Sequence, residues 1–394
     1  MRIADICEFY SEHGGGVKTY VDQKLEAASR LGHKVSIIAP GPEDRRDPRA
    51  GGEIIWIKSP KLAPDPRYHI FWRSSPVHEA LREVQPDLIE ASSTWRGAWI
   101  AAKWPEPTPR VMFAHQDPVA VYPHTIFSPR LPTETVDQLC FWFWFYLRRL
   151  TSNFDSTIVG GDWLASRFEK FGVKRPVAAQ LGVDKSLFSH ELRNRAARME
   201  MLLACGVRDP EAKLFIAVSR HHPEKRIGTM IDGFRAFAKE HPAGLFLIGD
   251  GPSRRWVEER AAKIQGVHIA GPIRERKRLA KLLASADFFL HGGAAETFGL
   301  VVAEALASGL PLITPDAGGA AELTHPTYAE TYRAGDSAAL TNAIRRIVLR
   351  DRQTLALAAR VGAKRVNSPN DHFQALFEYY ARLTEEKRIA QVAA

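Results

Sequence analysis

The sequence predicts an α/β protein made of two doubly wound parallel-sheet domains in series. Three observations carry that prediction. Short β-branched runs alternate with amphipathic helical stretches along nearly the whole chain, the pattern of parallel strands joined by crossover helices. The 394 residues are more than one hydrophobic core usually serves, so two domains are expected. The segment from Lys185 to Asp209 is polar and loses the strand rhythm, which then restarts.

In the first half, strands are read at "RIADICEF", "HKVSIIAP", "PDLIEAS", "RVMFAH" and "STIVGG". The clearest helix between them runs from Val17 to Leu31, where Val17, Tyr20, Val21, Leu25 and Ala28 recur at helical spacing. In the second half, strands are read at "AKLFIAVSR", "GLFLIGDG", "GVHIAGPI", "ADFFLHGG" and "LPLITPD". Beyond Pro369 a last helix presents Phe373, Leu376, Phe377, Tyr380 and Leu383 on one side. The expected organisation is therefore 1–190 as the first domain, 191–369 as the second, and 370–394 as a helix returning to the first. Ligands are expected outside the carboxyl ends of the strands.

Lys and Arg number 54 against 45 Asp and Glu, a formal charge of +9, which favours partners bearing phosphate or an anionic surface. Charge alone names no nucleic acid, and no recognition motif or basic-aromatic stripe accompanies it, so no nucleic-acid partner is expected. Cys7, Cys140 and Cys205 are far apart and lack CxxC spacing, which argues against a disulfide framework or a zinc site. The N-terminus is broken by Arg2, Asp5 and Glu8, unlike a secretion signal. The longest apolar run, "LCFWFWFYL", is far below the ~20 residues that span a bilayer. A cytoplasmic protein is expected.

The candidate site begins with "HGGAAETFGLVVAEALASGLP", residues 291–311, where a strand ends in a glycine-rich loop and a helix follows, stopped by Gly309. Glu296 falls on the loop and Glu304 about two turns inside the helix. The amides of Thr297, Phe298, Gly299 and Leu300 are read as the unpaired N–H groups of the helix start, an anion site fit for a diphosphate. Two readings stand for the glutamates. Either Glu296 caps the helix and Glu304 is solvated, or the carboxylates accept from sugar and ribose hydroxyls. Arg220 at a strand end and Lys225 at the next helix start tilt the balance, because two cations there imply a bound anion. A third loop, Gly249 to Pro252, follows another strand on the same edge.

Taken together, "RHHPEK" at 220–225, "GDGP" at 249–252, "GPI" at 271–273, the two glutamates and "GGAAE" at 318–322 resemble the nucleotide-sugar-binding half of the retaining glycosyltransferases of family 4, with the GT-B fold of two Rossmann-like domains facing across a cleft. "HGGGVKTYV" at 13–21, "HQD" at 115–117 and "LGVD" at 181–184 resemble motifs of the family's first domain. The resemblance implies that Arg220 and Lys225 neutralise the donor diphosphate, that Glu296 holds donor-sugar hydroxyls, that Glu304 holds the ribose, and that Pro272 and Ile273 border the base. Gly249 and Asp250 join the nucleotide site. Gly15 and Gly16 would let the first helix approach the phosphates, and His115 would stand by the reacting face of the sugar, unless it is a satisfied core histidine. Arg226 and the run His291, Gly292 and Gly293 depart from the family's common pattern.

From this resemblance a hexose-type sugar is expected to move from a nucleotide diphosphate sugar, UDP-linked by preference, to a hydroxyl acceptor with its anomeric configuration retained. No metal or cofactor is called for, since the cations and helix dipole meet the growing phosphate charge. The six successive aromatics Phe141 to Tyr146, followed by Arg148 and Arg149, suit either a buried helix or a lipid interface with anionic head groups. They point to a membrane-lipid acceptor and to a peripheral position on the inner face of the cytoplasmic membrane, and the segment's resemblance to bacterial glycolipid-forming members of the family implies diacylglycerol or ceramide as that acceptor. The same chemistry on a soluble or polysaccharide-precursor acceptor is the first alternative, and a non-catalytic two-lobed sugar-binding protein the second. A nicotinamide-dependent dehydrogenase is disfavoured: "GGGVKT" lacks the third glycine of the dinucleotide fingerprint, and "HKVSIIAP" ends in Pro40 where a ribose-binding acid is wanted.

Overall fold

The structure is a computed structural model and describes residues 1–12, 16–63, 68–127 and 131–392. Fourteen strands are found among them: β1 (Arg2–Ile6), β2 (Lys34–Gly41), β3 (Arg45–Arg49), β4 (Gly52–Lys58), β5 (Leu88–Ala91), β6 (Arg110–Ala114), β7 (Ser156–Val159), β8 (Pro176–Ala178), β9 (Lys213–Val218), β10 (Ala243–Ile248), β11 (Val267–Gly271), β12 (Phe288–Leu290), β13 (Leu312–Pro315) and β14 (Ala329–Tyr332). They form two sheets, ordered β3-β4-β2-β1-β5-β6-β7-β8 and β11-β10-β9-β12-β13-β14. Every pairing is parallel except β3 with β4. The second sheet has the doubly wound order 3-2-1-4-5-6. The first has the same order with β3 added at one edge and β8 at the other. This is the α/β class that the alternating pattern predicts.

Contacts divide the chain into two units. One comprises Met1–His115, Gln138–Gln180 and Pro369–Ala394, the other Gln116–Asp137 and Leu181–Ser368. The first unit thus closes at Gln180 rather than at 190, and residues 116–137 go with the second. Asp117 caps a short helix in that segment, accepting from the amides of Val119 and Ala120.

Within the first unit, a helix over Gly16–Arg30 buries Tyr20, Val21, Leu25 and Ala28. It also buries Lys24, whose Nζ donates to Asp5 Oδ2 at 2.9 Å and to Glu90 Oε2. Two carboxylates share one ammonium with all three side chains inaccessible to solvent. Burial, and then the charge of Glu90, push the Asp5 carboxyl up to about 6 despite Lys24. The last helix, Pro369–Val392, buries Phe373, Leu376, Phe377, Tyr380 and Leu383 in the same unit. Tyr380 Oη donates to Glu90 Oε2 at 2.8 Å, and Tyr20 Oη lies 3.1 Å from His372 Nε2.

The helix Phe141–Thr151 is two-faced. Phe143, Trp144, Leu147 and Leu150 are buried, while Phe141, Trp142 and Phe145 are 71%, 62% and 59% exposed and continue into exposed Arg148 and Arg149. No helix among the described residues is long and apolar enough to cross a membrane.

Candidate active site

A doubly wound sheet leaves a crevice where neighbouring strands send their connections to opposite sides. In the second unit that point lies between β9 and β12, whose loops carry residues 219–226 and 291–299. There Lys225 Nζ donates to Glu296 Oε1 at 2.7 Å and lies 3.5 Å from Glu224 Oε1. His291 Nε2 is 3.4 Å from the same Glu296 oxygen. Burial alone would raise the Glu296 carboxyl, but Lys225 and His291 outweigh it and hold the group far below the usual carboxylate range. Burial likewise pulls Lys225 down, and the Glu296 and Glu224 charges more than reverse it. Both side chains are therefore charged at neutral pH. Arg220 stands exposed on the same β9 loop.

The glycines before Glu296 are explained by close approach. A Cβ on Gly292 would lie 2.5 Å from the Lys225 carbonyl oxygen, and one on Gly293 would crowd His291, Glu296 and Lys225 at 3.1–3.3 Å. The 291–293 run that departs from the family's common pattern thus draws the β12 loop against the Lys225 turn. The other departure, Arg226, adopts a left-handed backbone, φ 48°, ahead of the helix Ile227–Ala238. Glycine takes that conformation freely, and a side-chain-bearing residue does so at a cost of about 1 kcal/mol.

The helix expected to start around residue 298 runs over Leu300–Ala307, with Gly299 left-handed at its N-cap. The unpaired amides of its first turn are accordingly those of Gly299, Leu300 and Val301, since Val302 N already donates to the Gly299 carbonyl at 2.9 Å. Thr297 and Phe298 precede the turn, and the Phe298 side chain is buried in the core. Glu304 is the fifth helical residue rather than two turns in. It is nearly buried and accepts from Arg276 Nη2 at 2.8 Å. Burial raises its carboxyl, with Arg276 opposing. Arg276 escaped sequence reasoning, because it lies 28 residues away with no motif around it. Gly309, φ 77°, closes the helix as its spacing suggests.

On the β10 loop the glycines serve packing. A Cβ on Gly249 would lie 1.8 Å from the Ser219 carbonyl oxygen, and Gly251 is pressed on the His221 backbone at 2.5 Å. These glycines interlock the β9 and β10 loops, with His221 N donating to the Asp250 carbonyl at 2.8 Å. Asp250 is exposed, 3.6 Å from Arg254. Beyond β11, Pro272 is exposed and Ile273 packs against the core.

His115 and Gly16 belong to the first unit, and Gly15 lies outside the described residues. His115 follows β6, stacks on Phe113 at 4.5 Å and meets Tyr20 edge-on. Burial lowers its imidazole to about 4, so it is neutral at pH 7. A Cβ on Gly16 would meet no protein atom within 4 Å, so packing does not demand that glycine.

Comparison with known proteins places these features in a family. Residues 14–187 match the model of Glycosyltransferase Family 4, and residues 212–350 that of Glycosyl transferases group 1. A GDP-mannose-dependent alpha-(1-6)-phosphatidylinositol dimannoside mannosyltransferase of Mycobacterium tuberculosis is 28% identical over 91% of both chains. The Alpha-monoglucosyldiacylglycerol synthase of Streptococcus pneumoniae is 25% identical over 79% of this chain and 70% of its own. Among solved structures, the sucrose-phosphate synthase of Thermosynechococcus elongatus shares the fold with a TM-score of 0.78 at 20% identity, over 98% of this chain and 100% of its own. With two doubly wound sheets, a charged crevice at the second switch point and both family models matched along its length, the chain belongs to the family 4 glycosyltransferases of GT-B fold and is an enzyme of the transferase class.

Proposed function

We propose that this glycosyltransferase moves mannose from GDP-mannose to a hydroxyl of a membrane lipid, with retention of the anomeric configuration. The sequence alone favours a UDP-sugar. Several relatives named as GDP-mannose-dependent mannosyltransferases support GDP-mannose instead, and two relatives named for lipid acceptors support the lipid. The observation that carries the acceptor reading is the helix Phe141–Thr151. Its exposed face holds three large aromatics followed by two arginines, and its other face is already buried. Large aromatics present ~150–250 Å² each, so transfer of this face to an apolar medium at ~25 cal/mol per Å² gains several kcal/mol. The arginines suit anionic head groups.

In this reading the donor diphosphate lies against Arg220, Lys225 and the amides of Gly299, Leu300 and Val301. Glu296 accepts from sugar hydroxyls and Glu304 from the ribose. Neutral His115 offers the sugar a hydrogen bond rather than a charge. The acceptor oxygen attacks C1 on the face from which the phosphate departs, the C1–O bond breaks with its electron pair going to the phosphate, and a phosphate oxygen takes the acceptor proton. Arg220, Lys225 and the helix start stabilise that growing charge.

The test is mannose incorporation into lipid from GDP-mannose, with UDP-glucose in parallel, on phosphatidylglycerol vesicles carrying phosphatidylinositol or diacylglycerol. Flotation of the protein with those vesicles at low salt is measured alongside. Co-flotation and an α-linked lipid product by NMR are expected. Absence of flotation removes the membrane acceptor, and a β-linked product removes retention.

A further inference from the structure

The first sheet has its own switch point, between β1 and β5, and its central group is Glu8. This carboxylate is 1% exposed on the loop that leaves β1. Its Oε2 accepts from Ser93 Oγ at 2.9 Å and from the Gly97 amide at 3.0 Å, the latter at the start of the helix Arg96–Ala102. Ser93 Oγ also takes the Trp95 amide at 3.3 Å, so the loop after β5 is fastened round the same point. A Cβ on Gly97 would meet Ser93 Oγ and the Glu8 side chain at 3.3 and 3.4 Å, and glycine is what lets the helix start come this close.

The other oxygen, Oε1, has no hydrogen-bond partner among the described residues. A half-satisfied buried carboxylate is costly, and each such group in a native structure calls for an explanation, a role toward a ligand or reaction among them. Nothing in the packing of β1 or β5 needs a carboxylate here, since an amide would accept equally well from Ser93 and Gly97. Glu8 lies two residues beyond the carboxyl end of β1, on the side of the sheet where doubly wound folds hold ligands.

The surroundings say which ligand. Tyr146, on the two-faced aromatic helix, donates from Oη to the Thr94 carbonyl at 2.8 Å and accepts from Trp99 Nε1 at 3.0 Å. Trp95 stacks on Tyr146. The helix Phe141–Thr151 is therefore pinned to the residue next to Ser93. A carboxylate held on one side and free on the other accepts from O–H groups and repels phosphate.

We propose that Glu8 binds the acceptor, its Oε1 receiving the hydrogen of an acceptor hydroxyl and fixing that hydroxyl for attack. This extends the glycosyltransferase reading above and does not depend on the acceptor being a lipid. The test compares wild type with Glu8→Gln, which keeps an oxygen for Ser93 and Gly97 and puts an N–H₂ where Oε1 stood. With GDP-mannose, or UDP-glucose if that is the donor turned over, and molar glycerol as a hydroxyl acceptor, the ratio of glycosylglycerol to free sugar reads acceptor against water. Glu8→Gln should lower that ratio at least ten-fold, leave nucleotide release without glycerol within two-fold, and leave the melting temperature unchanged. An unchanged ratio overturns the proposal, and so does a parallel loss of nucleotide release, which would mark Glu8 as a structural cap. If Glu8→Gln fails to fold, Ser93→Ala loosens the grip while keeping the carboxylate, and the same ratio must fall. Failure of vesicle transfer with a normal glycerol result removes the lipid acceptor and leaves Glu8 in place.

Discussion

The two sheets share one winding order, yet their switch points hold opposite chemistry. In the second unit, Lys225 and exposed Arg220 crowd the crevice beside a helix start, and the carboxylate present is held ionised by its cation. In the first unit the charged groups turn inward. Lys24 is spent on Asp5 and Glu90, and one oxygen of Glu8 has no hydrogen-bond partner among the described residues. In the proposed reading, one fold supplies an anion clamp in one half and a hydroxyl acceptor in the other. The loops at the strand ends make the difference, and the strands do not.

The sharpest way to break this comparison is to remove a cation from the clamp. Lys225→Ala should cost ~10²–10³-fold in kcat/KM for the donor, the scale seen when one preorganised stabiliser of developing charge is lost. Arg220→Ala should fall in the same range or somewhat below it, since its guanidinium is exposed. Steady-state kinetics checks both, and wild-type rates in either variant would erase the asymmetry between the units. The next effect belongs to the first unit alone. Trp142→Glu together with Phe145→Glu should lower transfer into vesicles about ten-fold through lost apolar burial. Donor turnover to water should stay unchanged, as measured by nucleotide release.

A third probe sets the inward charges of the first unit against acid. His372 is buried, and burial lowers its imidazole to about 4. The unfolded chain therefore binds a proton that the folded chain refuses between pH 6.5 and 4. Stability contributed by the neutral ring is present above pH 6.5 and is lost as pH falls through that window, at about 1.4 kcal/mol per pH unit for one such group. His372→Gln should flatten that slope in urea denaturation curves. An unchanged slope would assign the acid sensitivity to other groups, such as His115. The smallest effect lies at Arg226. Glycine there should be nearly neutral and valine should destabilise by about 1–2 kcal/mol, because a β-branched residue tolerates φ 48° poorly. Thermal unfolding checks the pair.

Much of the architecture was legible because apolar runs end where strands end. The strands read from "AKLFIAVSR" and "ADFFLHGG" became β9 and β12, whose neighbouring loops hold Lys225 and Glu296. Sequence reading missed β3, "RRDPR", since an antiparallel edge strand of charged residues and proline has no hydrophobic signature. It also missed β4, "GEIIWIK", although its run Ile54–Ile57 is apolar and buried, and β8 and β14, which are three and four residues long. The packing demand on Gly249 depends on where the Ser219 carbonyl lies, which no sequence pattern shows. The helix expected from Phe298 begins later, because Gly299 turns left-handed before the first helical residue. Glu8 looked like any charge interrupting an N-terminal strand. Its Oε1, like Asp5 Oδ1, has no hydrogen-bond partner among the described residues, and Ser93 and Gly97 gather round Glu8 only after folding, from residues 85 and 89 positions away.

The last helix carries a consequence for biosynthesis. Tyr380 closes over Glu90, and Phe373, Leu376, Phe377 and Leu383 complete the core of a unit whose strands were translated within the first 180 residues. The intervening unit, a continuous stretch from Leu181 to Ser368 apart from one short segment, emerges from the ribosome whole while its neighbour still waits for a missing wall. The half translated first is the half that finishes last, so the nascent chain spends its longest exposure with the Lys24 cluster uncovered, and chaperones would be expected to bind there.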